Sequence, residues 1–190
     1  MNKKSTLGFL VLVVVALGGC DANDMKKEVK TIQKPVDYIA EVDNDKQDSK
    51  ESTLMNGMFT IEDEKIMLKN GVFEKDAAPG TPLKEKYTIL SNMSAVGDLN
   101  GDNVNDEAGI LILNSGGSGV FAYLVAKIDN EGTNGVFIGD RIEIKGISID
   151  KGIITVVYMD RGINEPMATT PTISKTRNYI VVDGNLQEKK

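Results

Sequence analysis

Residues 97–108 read Gly97-Asp98-Leu99-Asn100-Gly101-Asp102-Asn103-Val104-Asn105-Asp106-Glu107-Ala108, a run of oxygen-bearing side chains set between two apolar stretches. Before it, Tyr87-Thr88-Ile89-Leu90 opens a β-like run; after it, Gly109-Ile110-Leu111-Ile112-Leu113 is short, apolar and rich in branched residues. Short runs of this kind, bounded by turn residues, read as strands rather than helices. The frame is therefore strand, loop, strand.

Counted from Asp98, side-chain oxygens fall at positions 1, 3, 5 and 9 (Asp98, Asn100, Asp102, Asp106), and the main-chain carbonyl of Val104 is available at position 7. Alternate oxygens in a tightly coiled loop suit Ca²⁺, which takes several oxygen ligands at about 2.3–2.6 Å. Three carboxylates packed so closely repel one another unless a cation lies among them. Position 6, where the loop turns sharply, is Asn103, and Asn tolerates a left-handed backbone better than most residues. Position 12, which carries a bidentate Glu in an EF-hand, is Gly109, so a complete EF-hand is excluded. With strands rather than helices on either side, the loop resembles those of FG-GAP and integrin-type β repeats, whose DxNxDxxxD pattern matches Asp98, Asn100, Asp102 and Asp106. Only one copy is present, so no propeller of such repeats is expected. Asp, Asn and Gly also make good turns without a metal, but turn chemistry alone does not ask for carboxylates at alternate positions.

Composition narrows the possibilities further. The 190 residues include no His, no Trp and a single Cys, with a formal charge of −6. Ser-His-Asp and Cys-His catalysis, His or multi-Cys metal sites and an internal disulfide are all excluded. Carboxylate chemistry and oxygen-ligated metals remain. The acidic balance, about −8 without Lys3 and Lys4, and the lack of a basic tract argue against a nucleic-acid partner.

The chain opens with Lys3 and Lys4, an apolar run over 7–17 and small residues before Cys20, the pattern of a secretory signal peptide over 1–19. The apolar run is shorter than the ~20 residues of a membrane-spanning helix. Leu17-Gly18-Gly19-Cys20 resembles the bacterial lipobox, which implies cleavage before Cys20 and acylation of its thiol. Several acyl chains at about 0.8 kcal/mol per buried CH₂ anchor a protein durably, facing away from the cytosol. Asp21 resembles the enteric signal for retention in the inner membrane. Residues 20–52 are rich in Lys and acids and poor in apolar side chains, so an acylated Cys and a disordered tether are expected there.

From Thr53 to the end, short apolar runs alternate with turn residues. Asn70-Gly71 between 65–68 and 72–73 predicts a hairpin. Further strands are expected over 87–96, 108–113, 120–128, 136–138, 141–144, 147–149, 153–159 and 174–182, with turns at Asp150-Lys151-Gly152 and Asp183-Gly184. No long helical period occurs. The expected fold is mainly β, a single antiparallel β domain over 53–190 built as a sandwich, barrel or strongly bent sheet.

Two other loops hold candidate chemistry. Asn114-Ser115-Gly116-Gly117-Ser118-Gly119 exposes backbone N–H groups but lacks the Lys-Ser/Thr ending of a phosphate loop, and reads as a hairpin connection. The stretch from Asp160-Arg161 to Pro171 mixes both charges, and Asp160 with Glu165 could imitate a glycosidase acid/base pair. The Gly97–Asp102 segment, the run from Gly116 to Leu124 and Gly139-Asp140-Arg141-Ile142 together resemble a group of uncharacterised bacterial envelope proteins, a likeness that implies a shared β domain and no known activity. The expectation is a non-enzymatic, calcium-stabilised lipoprotein module with an envelope protein or glycan as partner. A carboxylate-dependent hydrolase of cell-wall or glycan substrates is the alternative.

Overall fold

The computed structural model describes residues 52–190. The signal peptide, Cys20 and all of the expected tether except Ser52 lie outside the described residues. The fold is mainly β with antiparallel sheets, as expected, and its one helical element among the described residues is the 3₁₀ turn Thr53–Asn56.

The strands are β1 (Met58–Ile61), β2 (Glu64–Met67), β3 (Val72–Asp76), β4 (Lys84–Gly97), β5 (Asp106–Asn114), β6 (Val120–Ile128), β7 (Glu131–Gly132), β8 (Val136–Asp140), β9 (Glu143–Asp150), β10 (Ile153–Asp160), β11 (Ile173–Val182) and β12 (Asn185–Glu188). They form three layers. The middle layer is a six-stranded sheet in the order β3-β4-β5-β6-β7, with β8 also pairing β6. One face packs on the four-stranded sheet β12-β11-β10-β9, and the other is covered by the β1–β2 hairpin and the 3₁₀ turn.

This arrangement explains why residues 108–113 and 120–128 are almost continuously apolar. A strand covered on one face alternates apolar and polar residues, whereas a strand covered on both has no solvent side to supply. Ala108, Ile110, Ala122, Leu124 and Ala126 face Ile154, Val156, Tyr158 and Tyr179 of the four-stranded sheet. Leu111, Leu113, Tyr123 and Val125 face Leu54, Phe59, Ile61, Ile66 and Leu68 on the opposite side.

Two devices join the layers. β4 pairs with β5 at both ends but shifts register between Ile89 and Ser94, so Leu90 and Met93 pack inward and the strand bends toward β9. There the backbone of Gly97 lies so close to β9 that an added Cβ would sit 2.6 Å from Ile149 Cγ2. On the far side, the Asn134 amide completes the other join. Its Oδ1 accepts the Leu186 N–H at 2.8 Å and its Nδ2 donates to the Leu186 carbonyl at 3.2 Å, tying β12 to the segment before β8.

Two-residue turns close four of the hairpins. Glu62-Asp63, Asp129-Asn130, Lys151-Gly152 and Asp183-Gly184 all have positive φ at both positions, the mirror-image geometry that matches the twist of paired strands. Asn70-Gly71 has it too, at φ 51° and 79°. Its neighbours nonetheless do not form the expected hairpin: β2 pairs β1, β3 pairs β4, and only a single Lys69–Val72 bridge spans the turn. The turn hands the chain from the covering hairpin to the middle sheet. Arg141, expected at a strand start, instead occupies a turn with φ 51°, and residues 143–150 form one strand where two were expected.

Candidate metal centre

The loop between β4 and β5 is coiled by its own side chains. Asp98 Oδ1 accepts the Gly101 N–H at 2.6 Å and its Oδ2 accepts the Asn103 N–H at 2.9 Å. Asn100 Oδ1 accepts from Asp102 N at 3.1 Å, and Asp102 Oδ1 from Val104 N at 2.7 Å, two Asx turns in series. Asn103 has φ 67°, the left-handed conformation expected at position 6. Val104 lies in this coil with its side chain exposed. Leu99, between the first two polar positions, is buried in the core and fixes the loop to the body of the fold.

Asp106 differs from the other three candidates. It is the first residue of β5, is only 4% exposed, and spends one oxygen on the Leu99 N–H at 2.9 Å and the other on the Asp129 N–H at 3.3 Å. It forms the floor of the loop while Asp98, Asn100 and Asp102 form its outer part.

One participant escaped the sequence reading. Asp129, in the β6–β7 turn, faces the loop, and Asn100 Nδ2 donates both to Asp129 Oδ2 at 3.0 Å and to Asp102 Oδ2 at 3.2 Å. Lost hydration and the negative charge of Asp102 push the Asp129 carboxyl up, whereas the Val104 N–H and the Asn100 amide hold Asp102 down. The amide hydrogens of Asn100 thus mark the point where the two carboxylates call for positive charge. All the donors are oxygens, the set a hard cation prefers. Among the described residues, however, no three His, Cys, Asp or Glu side chains gather into a metal-holding group. Closing the outer residues on an ion requires the Asn100 side chain to turn its oxygen inward.

A cleft of about 360 Å³ adjoins the loop, with Thr53, Val104, Asp106, Glu107 and Asp129 in its lining. Glu107, which the sequence reading also passed over, is 7% exposed. Its Oε1 accepts from Ser52 Oγ at 2.7 Å, and its Oε2 from Thr53 N at 2.7 Å and Thr53 Oγ1 at 2.9 Å.

The other two candidate loops are held by their own contacts. Asn114 Oδ1 accepts from Gly116 N at 3.1 Å, closing the connection between the antiparallel neighbours β5 and β6. Asp160 and Glu165 each turn to separate partners. Lys175 Nζ reaches Asp160 Oδ2 at 2.8 Å, and Gly162 N donates to Glu165 Oε2 at 2.8 Å. Burial pushes the Asp160 carboxyl up, but Lys175 and the Arg161 N–H outweigh it and leave the group below its ordinary range. Both acids organise the 161–172 loop, together with Arg161, which donates to the carbonyls of Arg141 and Thr169. In comparison with known proteins, no family model matches the chain, and no curated protein or solved structure resembles it detectably.

Proposed function

We propose that the protein is a bacterial envelope lipoprotein, anchored through an acylated Cys20, whose β fold acts as a calcium-stabilised binding or structural module. The observation that carries the calcium reading is that the Asn100 amide bridges Asp102 and Asp129 above the buried Asp106, in a coil that Asp98 closes through Gly101 and Asn103. Asp98, Asn100 and Asp102, with the Val104 carbonyl, supply the ligands. Asp106 anchors the loop from beneath, and Asp129 adds negative charge from the neighbouring turn. The loop joins two neighbouring strands of the middle sheet, so a cation there holds β4 and β5 in register and acts chiefly on stability.

Without a Glu at position 12 the affinity falls in the range of roughly 10⁻⁴–10⁻³ M that serves extracellular modules. At free Ca²⁺ tenfold above Kd, linkage stabilises the fold by about 1.4 kcal/mol. Calcium is expected to raise the melting temperature by several degrees, and Asp102→Ala to abolish that response while leaving a folded protein. Melting indifferent to millimolar Ca²⁺ and to chelator, with no heat of binding, would reduce the loop to a turn.

The anchor is tested separately. Mass spectrometry of the protein from bacterial membranes is expected to show a mature chain starting at a lipidated Cys20, and Cys20→Ala to release it. An intact Met1 in the mature product rules the anchor out.

A further inference from the structure

Asp106 and Glu107 are consecutive, so on a strand their side chains leave opposite faces of the sheet. Toward the four-stranded sheet, Asp106 holds the N–H groups of Leu99 and Asp129, the root of the acidic loop and the β6–β7 turn. Toward the covering layer, Glu107 holds Ser52 and Thr53, the root of the N-terminal segment, by three hydrogen bonds. The two residues also occupy the terminal rungs of the ladder: Gly97 with Asp106 is the last β4–β5 pair, and Glu107 with Lys127 the last β5–β6 pair.

We propose that Asp106 and Glu107 form a two-sided latch through which the root of the N-terminal segment and the 98–105 loop open and close together. The peptide between them is shared, and it lies at the strand end, where the ladder holds it least. Each carboxylate is nearly buried, and a buried carboxylate that loses its donors must regain water. The strand end therefore has two arrangements, fully bonded or hydrated, and a local opening on one face moves the peptide that positions the other side chain. In a protein anchored through residues before Ser52, tension on that segment is felt at the acidic loop.

Hydrogen exchange followed by mass spectrometry on the full chain tests this. Ser52→Ala combined with Thr53→Val removes two hydroxyl donors that hydrogen-bond to Glu107 and to no residue of the loop. Exchange over 98–105 is expected to accelerate several-fold, along with that over 52–56, while the β10 amides stay protected. Asp106→Asn is expected to produce the converse, faster exchange over 52–56. Acceleration confined to the mutated side in the hydroxyl variant overturns the proposal. That variant decides the matter even if Asp106→Asn fails to fold. The experiment is run without calcium, so its outcome is independent of whether the loop binds a cation.

Discussion

Gly132→Ala is expected to leave the chain unable to hold its native packing. A Cβ at Gly132 would lie 1.9 Å from the Met58 carbonyl oxygen and 2.9 Å from the carbonyl carbon, so the obstacle is backbone, which cannot rotate away as a side chain can. Gly132 pairs with Lys127 at the end of β6, and the next residues bind the covering hairpin directly: Thr60 N donates to the Thr133 carbonyl at 3.2 Å and Gly135 N to the Thr60 carbonyl at 2.8 Å. Making room for the methyl means lifting β1 from this seam and, with it, Phe59 and Ile61 from Leu111, Tyr123 and Val125. The cost exceeds the ~1–3 kcal/mol of ordinary overpacking. Urea denaturation should place the midpoint far below wild type or show no cooperative transition. Gly146→Ala in β9 is the control, because nothing lies within 4 Å of a Cβ there; its midpoint should stay close to wild type.

Glu107→Ala is expected to be nearly as damaging, for an electrostatic rather than a steric reason. Truncation strands Thr53 N, Thr53 Oγ1 and Ser52 Oγ, all of which point at one carboxylate at the edge of the core. Hydrogen bonds to a charged partner contribute about 1.5–3 kcal/mol each, part of which returning water recovers. A net loss of about 3 kcal/mol follows, which corresponds to roughly 10 °C in melting temperature for a chain of this size. Glu107→Gln keeps the shape and one acceptor oxygen but turns an amide N–H₂ toward a donor, so it should recover only part of the loss. A melting temperature within a degree or two of wild type for Glu107→Ala would mean that the root of the N-terminal segment is not held by this carboxylate.

Much of this architecture was legible in the sequence because periodicity and turn chemistry are local. The apolar runs that became β5 and β6 and the left-handed turns at Lys151-Gly152 and Asp183-Gly184 stand where expected. So do the polar coil after Gly97 and the left-handed Asn103. Pairing across distance was not legible. Asn70-Gly71 announced a turn correctly, but a turn signal does not say whether the strands on either side join each other or two different sheets. Glu62-Asp63, which closes the real β1–β2 hairpin, gave little warning, since Glu rarely takes positive φ and no Gly follows at the second position. Asp129 and Glu107 were missed for a related reason. Their roles come from the β5–β6 register, which sets Glu107 opposite Lys127 and so brings the 129–130 turn beside a loop some thirty residues earlier. No spacing rule within either segment encodes that.

The Asn134 amide that grips Leu186 bears on how this molecule behaves in a crowd of its own copies. β12 has four residues and stands at the margin of its sheet, with β11 on one side only. A bare margin offers a row of free N–H and C=O groups on which a strand from another molecule can add, the usual beginning of domain exchange and fibre growth. Here a side chain of the same molecule already fills both groups of Leu186, so an incoming strand finds the row interrupted at its centre. Sliding β12 by one residue would not free it, because Leu186 would then leave the core for water. A single amide thereby guards β12 against self-association, beside the charged run Glu188-Lys189-Lys190 at the end of the strand.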